Sequence, residues 1–128
     1  MRYSAAMRSL ERLDVFRLAR QLAADVYCLT RDRPLSRHPI LGDQIGRAAV
    51  SIPANIAEAF ALGTARQLVR GIRIAFGSAV ELKTHIWIAQ RAGAFASDER
   101  ATGIVADLDR VTSMLIGLLK RYGAKIGH

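Results

Sequence analysis

Three arginines, Arg66, Arg70 and Arg73, stand at i, i+4 and i+7 within ARQLVRGIR. That spacing places them on one face of a helix with no acid between them on that face. Arg17 and Arg20 repeat the arrangement in LDVFRLAR. A guanidinium on a phosphate displaces condensed counterions, so such faces bind polyanions with an affinity that falls as salt rises. A merely solvated face would carry acids at i±4, and these are missing. The five arginines are therefore the expected nucleic-acid or partner surface.

Catalytic patterns are weaker. GIRIAFGS (71–78) is one residue too long for a phosphate loop, lacks the lysine, and falls mid-helix where backbone N–H groups are already used. Gly71, Ala75 and Ala79 there are instead expected to let another helix approach closely. Glu81 and His85 stand four apart, with Glu58 able to face them, but a di-metal bundle needs several carboxylates and two Glu-x-x-His pairs. His38 and His128 have no partner pattern, and neither Ser51 nor Ser78 has an obvious base. Tyr27, Trp87 and Phe95 are of a type that stacks on bases, yet at helical spacing they read as core. An enzyme is not expected, nor any cofactor or metal.

A second polar set interrupts the apolar stretch RAAVSIPANIAEAF. Gln44, Arg47, Ser51, Asn55 and Glu58 step by 3, 4, 4 and 3, lining one helix face. They are expected to form a structural polar seam against a neighbouring helix, with Arg47 and Glu81 as counterparts. Pro53 lies in the same stretch, and its missing N–H predicts a kink by freeing the carbonyl of Ala49.

Four helices must position these groups: about 14–31, 40–62, 65–92 and 98–122. Asp14 is the expected N-cap of the first, Thr64 of the third and Ser97 of the fourth. RDRPLSRHP breaks the first helix from the second, and Gly63-Thr64 the second from the third. In the fourth, Ala101, Ile104, Leu108, Val111, Leu115, Leu118 and Tyr122 alternate three- and four-residue steps, the seam of near-parallel packing. The fold expected is all-α, a single antiparallel four-helix bundle over 1–128. Apolar residues on more than one face of helices two to four point to self-association.

Composition agrees. Of 128 residues, 51% are hydrophobic and only three are proline, as in a packed chain. Cys28 stands alone, which rules out an internal disulfide framework. No run of about eighteen apolar residues exists to span a membrane, and MRYSAAMRSLERLD lacks the apolar core of a secretory signal. A cytoplasmic protein is expected, with no membrane partner. Nineteen basic against eleven acidic residues give +8. The excess is spread along the chain, favouring a basic face on a rigid body over a basic tail.

The segments QIGRAAV (44–50), SIPANIAEA (51–59) and IAFGSAVEL (74–82) carry a resemblance. They look like the four-helix bundle family first described as proteins encoded in intervening sequences of 23S rRNA. Gln44, Arg47, Ala48, Ser51, Pro53, Asn55, Ile56, Ala57 and Glu58 match its hallmark, as do Gly77, Ser78, Ala79, Glu81 and Leu82; Ala59 replaces the usual glycine. The resemblance implies homopentameric barrels. Its functionally understood branch is the accessory variability determinant of diversity-generating retroelements. Those proteins are basic, bind nucleic acid and a reverse transcriptase, and support mutagenic copying of a template RNA. The net charge favours that branch; the alternatives are a ribosome- or rRNA-associated protein or a general protein-interaction scaffold of the same family.

Overall fold

In the computed structural model of the chain, residues 9–123 are described; residues 1–8 and 124–128, His128 among them, lie outside that range. Among the described residues there are helices and no strands. The first long helix, α1 (Asp14–Arg31), buries Val15, Phe16, Ala19, Leu22, Ala23, Val26 and Leu29, the apolar stripe read from the sequence. Its start differs from expectation in one respect. Leu13 is the residue ahead of the helix, with extended backbone and no side-chain cap, and Asp14 is already helical. The Asp14 carboxylate accepts from Arg17, which also donates to the Glu11 carbonyl at 2.9 Å. An acid in the first turn still suits the helix dipole, but the arginine three residues on has claimed the oxygen a cap would offer.

After a short 3-10 turn, Leu35–Arg37, helix α2 runs Pro39–Leu62. It opens one residue earlier than the apolar pattern required, because proline at the first helical position gives up only an N–H that would have no partner anyway. The helix continues through Pro53 to Gly63, whose φ of 86° ends it in the left-handed region that glycine enters without cost. Thr64 then caps α3 (Ala65–Arg91) as predicted: its hydroxyl accepts from the Gln67 N–H at 3.2 Å and donates to the Gln67 side-chain oxygen at 2.9 Å. Gly93, at φ 71°, turns the chain after α3, and α4 (Asp98–Gly123) begins with Asp98 and Glu99 in its first turn.

The helices contact as a ring. The α2–α3 pair is the most extensive, followed by α3–α4 and α1–α2, and α1–α4 closes the circle. One core results, with Leu22, Ile45, Ile52, Ile56, Ile72, Leu82, Ile86, Leu108 and Leu115 at its centre. The α2–α3 contact is close because of Gly71. A Cβ at that position would lie 2.5 Å from Cβ of Ala59 and 3.2 Å from the carbonyl oxygen of Asn55. No described helix is long and apolar enough to cross a membrane.

Several large apolar side chains remain outside. Tyr27, Ile40 and Val50 are exposed on α1 and α2; Val80, Trp87 and Ile88 on α3; and Ile116 on α4. Tyr27 and Trp87, read from the sequence as core, are each about half exposed (53%). Their positions on the wheel lie beside the stripe rather than on it, and each ring carries a cation over its face, Arg31 on Tyr27 and Lys83 on Trp87.

Candidate nucleic-acid interface

Helix α3 turns Leu68, Val69, Ile72, Ala75 and Ala79 into the core. Arg66, Arg70 and Arg73 fall on the opposite side, and all three are exposed. None of them has an ion pair among the described residues. The nearest hollow, about 210 Å³, runs between α2 and α3 and is lined by Asn55, Glu58, Gln67, Arg70, Gly71 and Ile74. Charged heads here sit on alkyl stems that can follow a moving phosphate chain, and no ion pair must first be broken.

On α1 the two arginines part company. Arg17 is held by Asp14 and by the Glu11 carbonyl. Arg20 lies over the Phe16 ring, 5.2 Å from its centre, with no acidic partner among the described residues. Arg20 is thus the freer cation of the pair.

The polar residues of α2 are not gathered into one seam. Ser51 and Ser78 share a hydrogen bond at 2.7 Å across the α2–α3 contact. The Asn55 amide donates to the Ser51 carbonyl at 2.8 Å and to its hydroxyl at 2.9 Å. Those three form a half-buried cluster. Gln44, Arg47 and Glu58 are exposed, and Arg47 pairs with Asp43 on its own helix at 2.8 Å rather than with Glu81. Glu81 is exposed too and faces His85 at 3.5 Å. The separation follows from length: short side chains at the helix edge stay in the contact, while long ones reach past it to water. His85 Nε2 is buried without a hydrogen bond, the Glu81 oxygen lying 3.5 Å away.

As for other chemistry, neither serine is hydrogen-bonded to a histidine. Among the described residues no three of His, Cys, Asp or Glu are grouped as metal ligands would be. GIRIAFGS lies wholly within α3, so its backbone donors are engaged in the helix.

Sequence reasoning passed over a second basic group. Arg12 and Arg121 line a groove of about 420 Å³ where the start of α1 meets the end of α4, with Leu13, Val15, Met114 and Leu118 between them and Asp14, the partner of Arg17, at its edge. Lys120 is exposed one residue away. More than a hundred residues separate the two sides in sequence, so only ring closure could show them as neighbours.

Compared with known families, residues 11–117 match the model of the family described as 23S rRNA-intervening sequence protein. The match spans the segments 44–59 and 74–82, the whole of α1, α2 and α3 and most of α4. No curated protein matches the chain.

Proposed function

The chain belongs to the 23S rRNA-intervening sequence protein family, and from that premise we propose that it is a non-enzymatic, basic accessory protein that binds RNA or DNA. The observation that carries this reading is the exposed arginine row Arg66, Arg70 and Arg73, which lacks any acidic partner among the described residues. In this reading the protein is cytoplasmic and assembles as a homopentamer, so that a modest basic face is repeated and avidity raises affinity. Its protein partner is a reverse transcriptase, and its role is to support mutagenic copying in a diversity-generating retroelement. A bend at Pro53, left by the missing donor to the Ala49 carbonyl, belongs to the same proposal as a device that shapes the subunit for its ring. The family's description favours one other reading, in which the nucleic acid is ribosomal RNA.

A salt series tests the shared part of both readings. Affinity for a short RNA or DNA should fall steeply between low and moderate salt. Changing Arg66, Arg70 and Arg73 together to alanine should lower affinity more than about tenfold and flatten the log–log salt slope by about 2 to 3. Helicity should be unchanged. Affinity indifferent to salt would overturn the reading. Capture of the reverse transcriptase that survives nuclease treatment would separate a direct protein contact from one bridged by nucleic acid.

A further inference from the structure

We infer that the nucleic acid is gripped at one end of the bundle, the end where α2 hands over to α3, α1 begins and α4 finishes. This deepens the nucleic-acid reading above and rests on it. That these four termini share an end is fixed by contacts: Arg12 and Arg121 line one groove, and the Phe60 ring on α2 meets the Tyr122 ring on α4 at 6.2 Å.

The net charge of the described residues lies wholly in that half. Divide each helix at its middle. The half containing residues 9–22, 51–78 and 111–123 carries Arg12, Arg17 and Arg20, then Arg66, Arg70 and Arg73, then Lys120 and Arg121. Against these eight stand three acids, Glu11, Asp14 and Glu58, of which Asp14 is already taken by Arg17. The half containing 23–50 and 79–110 has eight basic and eight acidic residues and is neutral. Apart from Arg17–Asp14, ion pairing between acids and Lys or Arg follows the same division. Arg47–Asp43, Lys83–Asp109 and Arg110–Asp107 all belong to the neutral half.

Helix dipoles do not create this asymmetry. Two N-termini and two C-termini meet at each end of an antiparallel bundle, so their partial charges oppose one another. The side chains alone carry it. A lipid surface would call for large apolar groups that are freely exposed at the tip of that end. Of the exposed large apolar residues only Ile74, in the hollow with Arg70, and Ile116 belong to the basic half, and Leu13, Val15, Met114 and Leu118 of the α1–α4 groove are partly or fully buried. A phosphate chain needs no such groups.

The size also fits. Half of a 26-residue helix is about 20 Å long, and two helices side by side span about the same, which matches some six nucleotides at about 3.4 Å each.

The experiment compares three triple variants of equal charge change, with the full chain and a labelled 30-nucleotide RNA and DNA as probes. Arg12→Ala/Lys120→Ala/Arg121→Ala removes the α1–α4 corner, Arg66→Ala/Arg70→Ala/Arg73→Ala the α3 row, and Arg33→Ala/Arg37→Ala/Arg100→Ala three arginines of the opposite end. The corner triple should lose about tenfold or more, as the α3 row does, while the opposite-end triple stays within about twofold. Arg12→Lys/Arg121→Lys, which keeps the charge, should bind as the parent does; loss in that variant would mean that the groove's shape and not its charge is at work. Equal loss in all three alanine triples would overturn the polarity and leave the nucleic-acid reading standing, since total charge would then suffice. Loss in the α3 row alone would confine binding to that helix and also overturn the inference. A parent protein that binds anionic vesicles and neither nucleic acid would remove the inference and the reading together.

Discussion

At the scale of residues, the Ser51–Ser78–Asn55 cluster is the one place among the described residues where α2 and α3 are joined by side-chain hydrogen bonds rather than packing. Ser51 serves two partners, accepting from Asn55 and sharing a proton with Ser78, whereas Ser78 has Ser51 alone. Ser51→Ala should therefore destabilise by about 1 kcal/mol and Ser78→Ala by somewhat less, since the site is only half-buried and water replaces part of what is lost. In denaturant unfolding, a double-mutant cycle should return a coupling of about 0.5–1 kcal/mol. Additive effects would mean that the 2.7 Å contact contributes nothing net. The spacing of Ser51 and Asn55 already placed them on one edge of α2. Their partner was not legible, because Ser78 lies 27 positions away and depends on the register of two packed helices. Arg47 went the other way: Asp43, four residues earlier on its own helix, outcompeted a distant Glu81.

At the scale of elements, most helix boundaries were visible in local chemistry, as at Gly63 and Thr64 between α2 and α3, whereas Pro39, read as part of the preceding break, is the first residue of α2. Exposure was not visible, because the wheel of a 27-residue helix with apolar groups on two sides leaves open which side meets a neighbour. Trp87 and Val80 were placed by packing, not by period. Two glycines of α3 separate local preference from packing in a measurable way. A Cβ added at Gly77 would meet nothing within 4 Å, so Gly77→Ala should stabilise by about 0.5–1 kcal/mol through helix propensity. Gly71→Ala gains the same propensity but meets Ala59 and the Asn55 carbonyl, which belong to a backbone that has little room to yield. Overpacking of that kind costs about 1–3 kcal/mol, so the net sign should reverse. Thermal unfolding of the two variants side by side reads the difference, and a stabilised Gly71→Ala protein would show that the helices can part there.

At the scale of the whole molecule, exposed apolar side chains occur on both halves of the ring of helices. Val80, Trp87 and Ile116 lie along α3 and α4, and Tyr27 and Val50 along α1 and α2. Two different flanks that fit one another generate a closed ring of subunits when the rotation closes, which is the assembly the pentamer proposal requires. Trp87→Glu, and Val50→Asp on α2, should each lower the sedimentation mass toward that of a 14.0 kDa subunit while leaving far-UV dichroism unchanged. An unaltered mass in both variants would place the contact elsewhere. The basic half was only partly legible for a related reason: Arg66, Arg70 and Arg73 are local neighbours, but Arg12 and Arg121 become neighbours only through the tertiary fold.

The two-residue turn at Gly63 and Thr64 has a consequence in time. It joins the two helices with the most extensive contact in the molecule. Closing so short a loop costs little chain entropy, whereas joining α1 to α4 must close a loop of nearly the whole chain. The α2–α3 hairpin is accordingly the expected first-formed unit, and α1–α4 docking the last step. In pulse-labelling hydrogen exchange during refolding, amides of Ile52, Ile56, Ile72 and Ala75 should become protected ahead of those of Leu22 and Leu115; simultaneous protection would mean that the four helices condense together.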